Sequence, residues 1–189
     1  MSDGAAGDGA RIEQALERAE DRAARTGPAV DPRQFRDALG RFATGVTLIT
    51  ACEEGGDHPV GITVNSFASV SLDPALVLWS AARSSLRHRH FSAARHFAIH
   101  VLNEGQADLA RRFTKDGAAF EGLSWHAGPQ GVPLIDGVLA RFECETEARY
   151  EGGDHTIIVG KVLRFAIDRA AAPLLFFGGR FGRIETVQG

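Results

Sequence analysis

The stretch GITVNSFASVSLDP, residues 61–74, opens with the alternation of a β-strand and then places Thr63, Asn65, Ser66, Ser69 and Ser71 within nine positions. A strand that only had to build a core would carry larger apolar side chains there. Small side chains let a flat ligand approach the backbone. Hydroxyls, a carboxamide and free amides can then bond the carbonyls and nitrogens at its edge. The same residues also fit a Ser-rich, irregular edge strand that ends in an Asp-Pro turn.

A second candidate is Arg83-Ser84-Ser85-Leu86-Arg87, where a strand pattern gives way to a helical one. A helix N-terminus presents free N–H groups and partial positive charge, and these hydroxyls and guanidinium groups would add donors for a phosphate ester. Serine is also an ordinary helix cap. The third candidate is EGGDHTIIVG, residues 151–160. Gly152, Gly153 and Asp154 make a tight hairpin turn. His155, which follows at the start of a strand, could meet an aromatic or carboxamide ligand or simply face water.

Other chemistries find less support. The chain has seven histidines. His88 and His90 lie near His96 and His100, but the latter pair falls on a strand that keeps them apart, and no acidic residue lies among them. No metal site is expected. There is no Walker loop and no G-x-S-x-G elbow. GGRFG at 178–182 is followed by only seven residues, too few for a dinucleotide-binding βαβ unit. Glu143, Glu145 and Glu147 alternate with apolar residues and are expected on a solvated sheet face.

The elements that must position these groups can be read from periodicity. The chain has 189 residues, 44% of them hydrophobic, which suits one domain with a tail. A net charge of -3 gives no sign of nucleic acid or an anionic membrane as partner. No apolar run reaches the roughly 18 residues of a membrane-spanning helix. The start, MSDGAAGDGA, lacks the features of a secretory signal, and Cys52 and Cys144 form no framework, so a reduced, cytoplasmic protein is expected. Residues 1–30 read as a flexible or weakly helical extension, with Ile12, Leu16 and Ala19 on one thin stripe of a helix over 11–25. The domain spans 31–189. Asp31-Pro32 signals a helix start, and Phe35, Leu39 and Phe42 follow on one face. Strands are predicted at 45–52, 59–66, 75–81, 96–102, 137–153, 155–167 and 173–177, helices at 84–95 and 104–113, and irregular chain at 114–136. Strands at hairpin spacing without regular intervening helices predict a mainly β, antiparallel Greek-key barrel with a few capping helices.

In combination, DPRQFRDALGRFATGVTLIT, VGITVNSFASVSLDPALVLWS, GGDHTIIVGKV and PLLFFGGRFGRI resemble the short flavin reductases, the reductase components of two-component flavin-dependent monooxygenases. The resemblance runs from about Asp31 to Ile184. It implies a split β-barrel of the FMN-binding type, usually a homodimer. Thr63, Val64, Asn65, Ser66, Ser69, Val70 and Ser71 match the segment along the isoalloxazine and ribityl chain. Ser84 and Ser85 match the segment near the flavin phosphate, and Arg112 and Phe113 a basic-aromatic pair that approaches the flavin. Gly153, Asp154 and His155 match the turn beside the nicotinamide, with His155 orienting it. Arg180 and Phe181 match a C-terminal piece near the site where many relatives have Tyr; Phe181 lacks that hydroxyl.

The implied reaction is hydride transfer from NADH or NADPH to FMN or FAD, with reduced flavin diffusing to a partner monooxygenase. Two other readings stay open from the residues: a relative that reduces a ferric complex or a cob(II)alamin precursor through a retained flavin, and a non-catalytic flavin-binding module.

Overall fold

A computed structural model describes residues 14, 31–53 and 58–185. The helix expected over 11–25 and the tip of the turn after Cys52 lie outside the described residues. The chain divides into two compact units, Met1–Arg41 and Phe42–Gly189.

In the first unit, helix α1 (Pro32–Leu39) starts as its sequence predicts. Asp31 Oδ1 accepts the backbone N–H of Arg33 at 2.7 Å and of Gln34 at 3.4 Å, satisfying donors that a helix start leaves unpaired. Its apolar residues Phe35 and Leu39 stay exposed.

The second unit is mainly β and antiparallel. Strands β1 (Thr44–Gly45), β2 (Thr47–Cys52), β3 (Pro59–Val64), β4 (Ala68–Leu72) and β5 (Ala75–Ala82) are followed by helix α2 (His88–Ala93) and β6 (His96–Val101). A 3₁₀ turn leads into α3 (Ala107–Lys115), and then come β7 (Trp125–Ala127), β8 (Pro133–Ile135), β9 (Ala140–Gly152), β10 (His155–Ile167), β11 (Leu175–Phe177) and β12 (Arg180–Gly182). The main sheet has seven strands in the order β3-β2-β6-β9-β10-β5-β4, with β1-β11-β12 and β7-β8 as small separate sheets.

The order of the main sheet fixes its shape. Flat, six strand spacings would set β3 and β4 roughly 29 Å apart. Yet Val64 and Ala68 are separated by four Cα steps, a reach of at most roughly 15 Å. The sheet therefore curls until its edges approach, but β3 and β4 are not hydrogen-bonded to each other. The result is a barrel with an open seam, in line with the split β-barrel expected.

The core inside the curl is aromatic and aliphatic. Trp79 packs edge-on to Phe91 and Phe97, with ring centroids 5.2 and 6.1 Å away, and all three are fully buried. Gly160 on β10 admits Phe97, because a Cβ there would lie 2.5 Å from the Phe97 ring. Cys144 packs in this core as a small hydrophobe, and burial pushes its thiol pKa up to about 12.

Several local expectations need correction. Glu143 is not solvated; its side chain is largely covered and pairs with Arg164. Register shifts along β9–β10 break simple alternation, and Tyr150 is exposed. The segment 114–136 contains the β7–β8 hairpin, and the chain adds β12 after its last predicted strand. Helix α2 begins at His88 with no side-chain cap, so Ser84 and Ser85 lie on the turn before it.

The short β8 is tied to the main sheet by buried polar groups. Thr50 Oγ1 donates to Pro133 O at 2.5 Å. The fully buried His100 donates from Nδ1 to Leu48 O at 3.0 Å and accepts the Ile135 N–H on Nε2 at 3.1 Å. Both nitrogens are used by the neutral ring, so a second proton would break the Ile135 bond. Burial accordingly lowers the His100 pKa from 6.5 to about 4. A folded value below the unfolded one means that the stabilisation is fully present above pH 6.5 and is lost as pH falls toward 4. We expect unfolding free energy from urea titrations to drop by about 3 kcal/mol over that window. His100→Gln should remove most of this pH dependence; an unchanged slope would show that His100 is not its source.

Candidate active site

The seam is held open by its own linker. Ser66 Oγ accepts the Ser80 N–H at 3.0 Å and lies 3.3 Å from Ser80 O, which pins the linker to β5. β4 carries a register shift between Ser69 and Ser71, so Val70 bulges out and is half-exposed. As an edge strand β4 also presents unpaired backbone groups on its outer side. The small residues of this stretch thus leave main-chain donors beside the seam.

On the other side of the seam, α3 docks against β3. Its entry is fixed by Asn103 and Gln106, whose side-chain amides both donate to Gly137 O at 2.8 and 3.1 Å. Ala110 and Phe113 turn inward and are fully buried. The Phe113 ring stacks edge-on to Phe120 at 4.9 Å and lies over Gly61, where a Cβ would come within 2.6 Å of it. The absence of a side chain at Gly61 is what lets the helix lie this close. Thr63 Oγ1 then donates to Ala110 O at 2.8 Å and locks the helix onto the strand.

Between these elements lies a cavity of about 370 Å³. Thr63, Val64 and Asn65 form the β3 wall, and Arg111, Thr114 and Lys115 the α3 wall. Val46, Phe176 and Phe181 close it with apolar surface. Arg111 is held from two sides: its Nη1 pairs with Asp108 Oδ1 at 2.7 Å, and its guanidinium lies 5.2 Å from the centroid of the Phe181 ring. Phe181 in turn packs edge-on to Phe176 at 5.8 Å. The walls are apolar and cations stand at the rim, an arrangement suited to a flat ring system carrying an anionic tail.

The cavity brings together Thr63, Val64, Asn65 and Phe181 from the sequence candidates. Phe113 gives its ring to the core, and Arg112 Nη2 donates to Glu121 O at 2.5 Å. The cationic face toward the cavity belongs instead to Arg111 and Lys115. Sequence reasoning missed this stripe, although the helical period makes it legible once Ala110 and Phe113 are set inward. Arg180 is exposed and neighbours Phe181 on a strand, where alternation turns its side chain the other way. Val46 and Phe176 had no sequence signal, since the β1–β11 pairing that unites them joins distant segments.

The third candidate sits at the β9–β10 turn. Gly153 has φ +70°, a left-handed conformation that favours glycine. His155 Nδ1–H donates to Asp154 Oδ1 at 2.7 Å, which directs Nε2 outward. This bond holds the Asp154 carboxyl below its usual pKa of 3.8. The turn 83–87, carrying Ser84 and Ser85, lies between this hairpin and α3: the Arg83 N–H donates to Asp154 O at 2.9 Å, and Arg87 reaches the Thr114 carbonyl at 3.0 Å.

Residues 39–185 match the family described as flavin reductase like domain. The chain belongs to this family. It is 60% identical over 153 residues to the FMN reductase (NADH) SmoA of Agrobacterium fabrum, covering 81% of this chain and 86% of that protein. It is 39% identical over 158 residues to HsaB of Rhodococcus jostii, the reductase subunit of a flavin-dependent monooxygenase, covering 83% of this chain and 80% of that one. Among solved structures, the Streptomyces globisporus NADH:FAD oxidoreductase SgcE6, in complex with NAD and FAD fragments, superposes with a TM-score of 0.76 at 41% identity, over 84% of this chain and 98% of that chain. Among the described residues no helix is long and apolar enough to cross a membrane.

Proposed function

We propose that this chain is an NADH-dependent flavin reductase that delivers reduced FMN or FAD to a partner monooxygenase. The observation that carries the reading is the cavity beside the open seam, in a chain whose relatives are named as NADH-dependent flavin reductases. The residues present fit a flavin: an apolar slot of about 370 Å³, main-chain donors along the β4 edge and two cations at the rim. When bound, the flavin supplies the two-electron acceptor and the nicotinamide nucleotide supplies the hydride.

The protein's part is to bind, orient and exclude water. Val46, Val64 and Phe176 cover the ring faces. Arg111 and Lys115 attract the phosphate-bearing end, and Asn65 adds a carboxamide at the mouth. Backbone amides around Ser69 to Ser71 supply donors for the polar edge of the ring, where charge accumulates on reduction. Asp154 keeps the proton on His155 Nδ1, so Nε2 is free to accept from the nicotinamide carboxamide. Cytoplasmic location is supported by Cys52 and Cys144, which form no disulfide bond. A homodimer is supported by the exposed apolar row Leu163, Phe165 and Ile167 on β10, beyond the reach of its partner β5.

NADH oxidation followed at 340 nm should require added FMN or FAD; no oxidation with either would refute the proposal. In His155→Ala the NADH KM should rise about tenfold, the loss of one hydrogen bond, with the flavin Kd changed less than about twofold. An unchanged KM would remove the role of His155. Light scattering should give twice the chain mass of 20.2 kDa, and a value equal to that mass would refute the dimer.

A further inference from the structure

The turn 83–87 touches both halves of the proposed site, and one side chain does most of the joining. Arg87 Nη1 donates to Gly61 O at 3.3 Å and to Phe113 O at 2.5 Å, and Nη2 donates to Thr114 O at 3.0 Å. Gly61 lies two residues before Thr63, at the base of the β3 wall. Phe113 and Thr114 belong to the last turn of α3, whose carbonyls have no partner within the helix and carry partial negative charge. The Arg87 stem fills the space over Gly117, where a Cβ would come within 2.5 Å of Arg87 Cδ. Burial lowers the Arg87 pKa, and nearby Asp116 opposes the shift; a guanidinium so placed stays charged. At the other end of the turn, the Arg83 N–H holds Asp154 O at 2.9 Å, and the Arg83 guanidinium pairs with Glu151 Oε1 at 3.0 Å.

Arg87 is therefore committed to three carbonyls of the protein, which argues against the phosphate-binding role that its sequence position suggested. We propose that Arg87 is a positioning residue: it fixes the α3 and β3 walls of the flavin cavity relative to the hairpin that carries His155. The proposal rests on the flavin reading above. Its physical basis is the fork of the guanidinium. Three carbonyls from two elements are met at once by one planar group, and a lysine ammonium cannot reproduce that geometry. Hydride transfer is steep in distance, so a displacement of about 1 Å between the two walls costs up to about a hundredfold in rate.

The test is a double-variant cycle with Arg87→Lys and Gly117→Ala. The second variant leaves the guanidinium in place and displaces its stem, so the proposal survives poor folding of the first. FMN Kd is read from quenching of flavin fluorescence, hydride transfer from single-turnover mixing with saturating NADH, and amide hydrogen exchange from the ligand-free proteins. Each variant should raise the Kd and lower the transfer rate by about tenfold or more. The double variant should be no worse than either alone, because both remove the same contact. Exchange should quicken in the 151–156 hairpin as well as at the end of α3, a spread that local damage to the helix would not produce. Kd and rate within about twofold of wild type in both variants, defects that multiply in the double variant, or exchange that quickens at α3 alone would each overturn the proposal. Wild-type protein that does not bind FMN would refute the flavin reading instead, and the exchange data would then decide the role of Arg87.

Discussion

The structure depends on a conflict of lengths. Five strands lie between β3 and β4 in the sheet, while three residues, 65–67, separate them in the chain. The sheet can satisfy both only by curling, and the short linker then lies across a seam that never zips. Ser66 turns this into a stable arrangement by bonding to the Ser80 backbone, which keeps the linker on β5. The bulge at Val70 keeps the β4 edge irregular. The seam brings main-chain donors and a nearby apolar cavity together without requiring a loop to reach over them.

The second wall depends on the absence of side chains. Gly61 and Gly117 are positions where a Cβ would meet Phe113 and Arg87. Close docking of α3 follows, secured by the Thr63 bond to Ala110 O. Hydroxyls that a sequence reader assigns to ligand binding are thus partly structural. Thr63 lines the cavity and at the same time holds the helix that forms its opposite wall. This dual use explains why small polar residues are concentrated in a segment whose neighbours are Val and Ile.

Much of this was legible in the sequence, where local rules decide the outcome. Asp31-Pro32 starts a helix because capping is a short-range effect, and β9 and β10 announce themselves by long alternation. Where local rules fell short, distant contacts had intervened. Helix α2 begins after Ser84 and Ser85 because Arg83 and Arg87 are drawn to Asp154 and to α3. The antiparallel barrel class followed from strand spacing and its split form from the resemblance, but periodicity carries no information on strand order, so the position of the seam between β3 and β4 was not legible. The basic-aromatic pair Arg112-Phe113 could be placed by resemblance, but which side of α3 faces the cavity is set by the core positions Ala110 and Phe113, and this selects Arg111 and Lys115. Phe176 could not be found at all, since its place depends on pairing with Thr44 across more than a hundred residues of chain.

The central claim is that the open seam between β3 and β4, with the cavity on its α3 side, is where a flavin is held. A crystal structure of the protein with FMN tests it most directly. The ring system should lie against Thr63, Val64 and Asn65, with its polar edge within hydrogen-bonding distance of the main chain at 69–71. Density for the ring in another cavity, or a seam zipped by direct β3–β4 hydrogen bonds with FMN bound elsewhere, would contradict it.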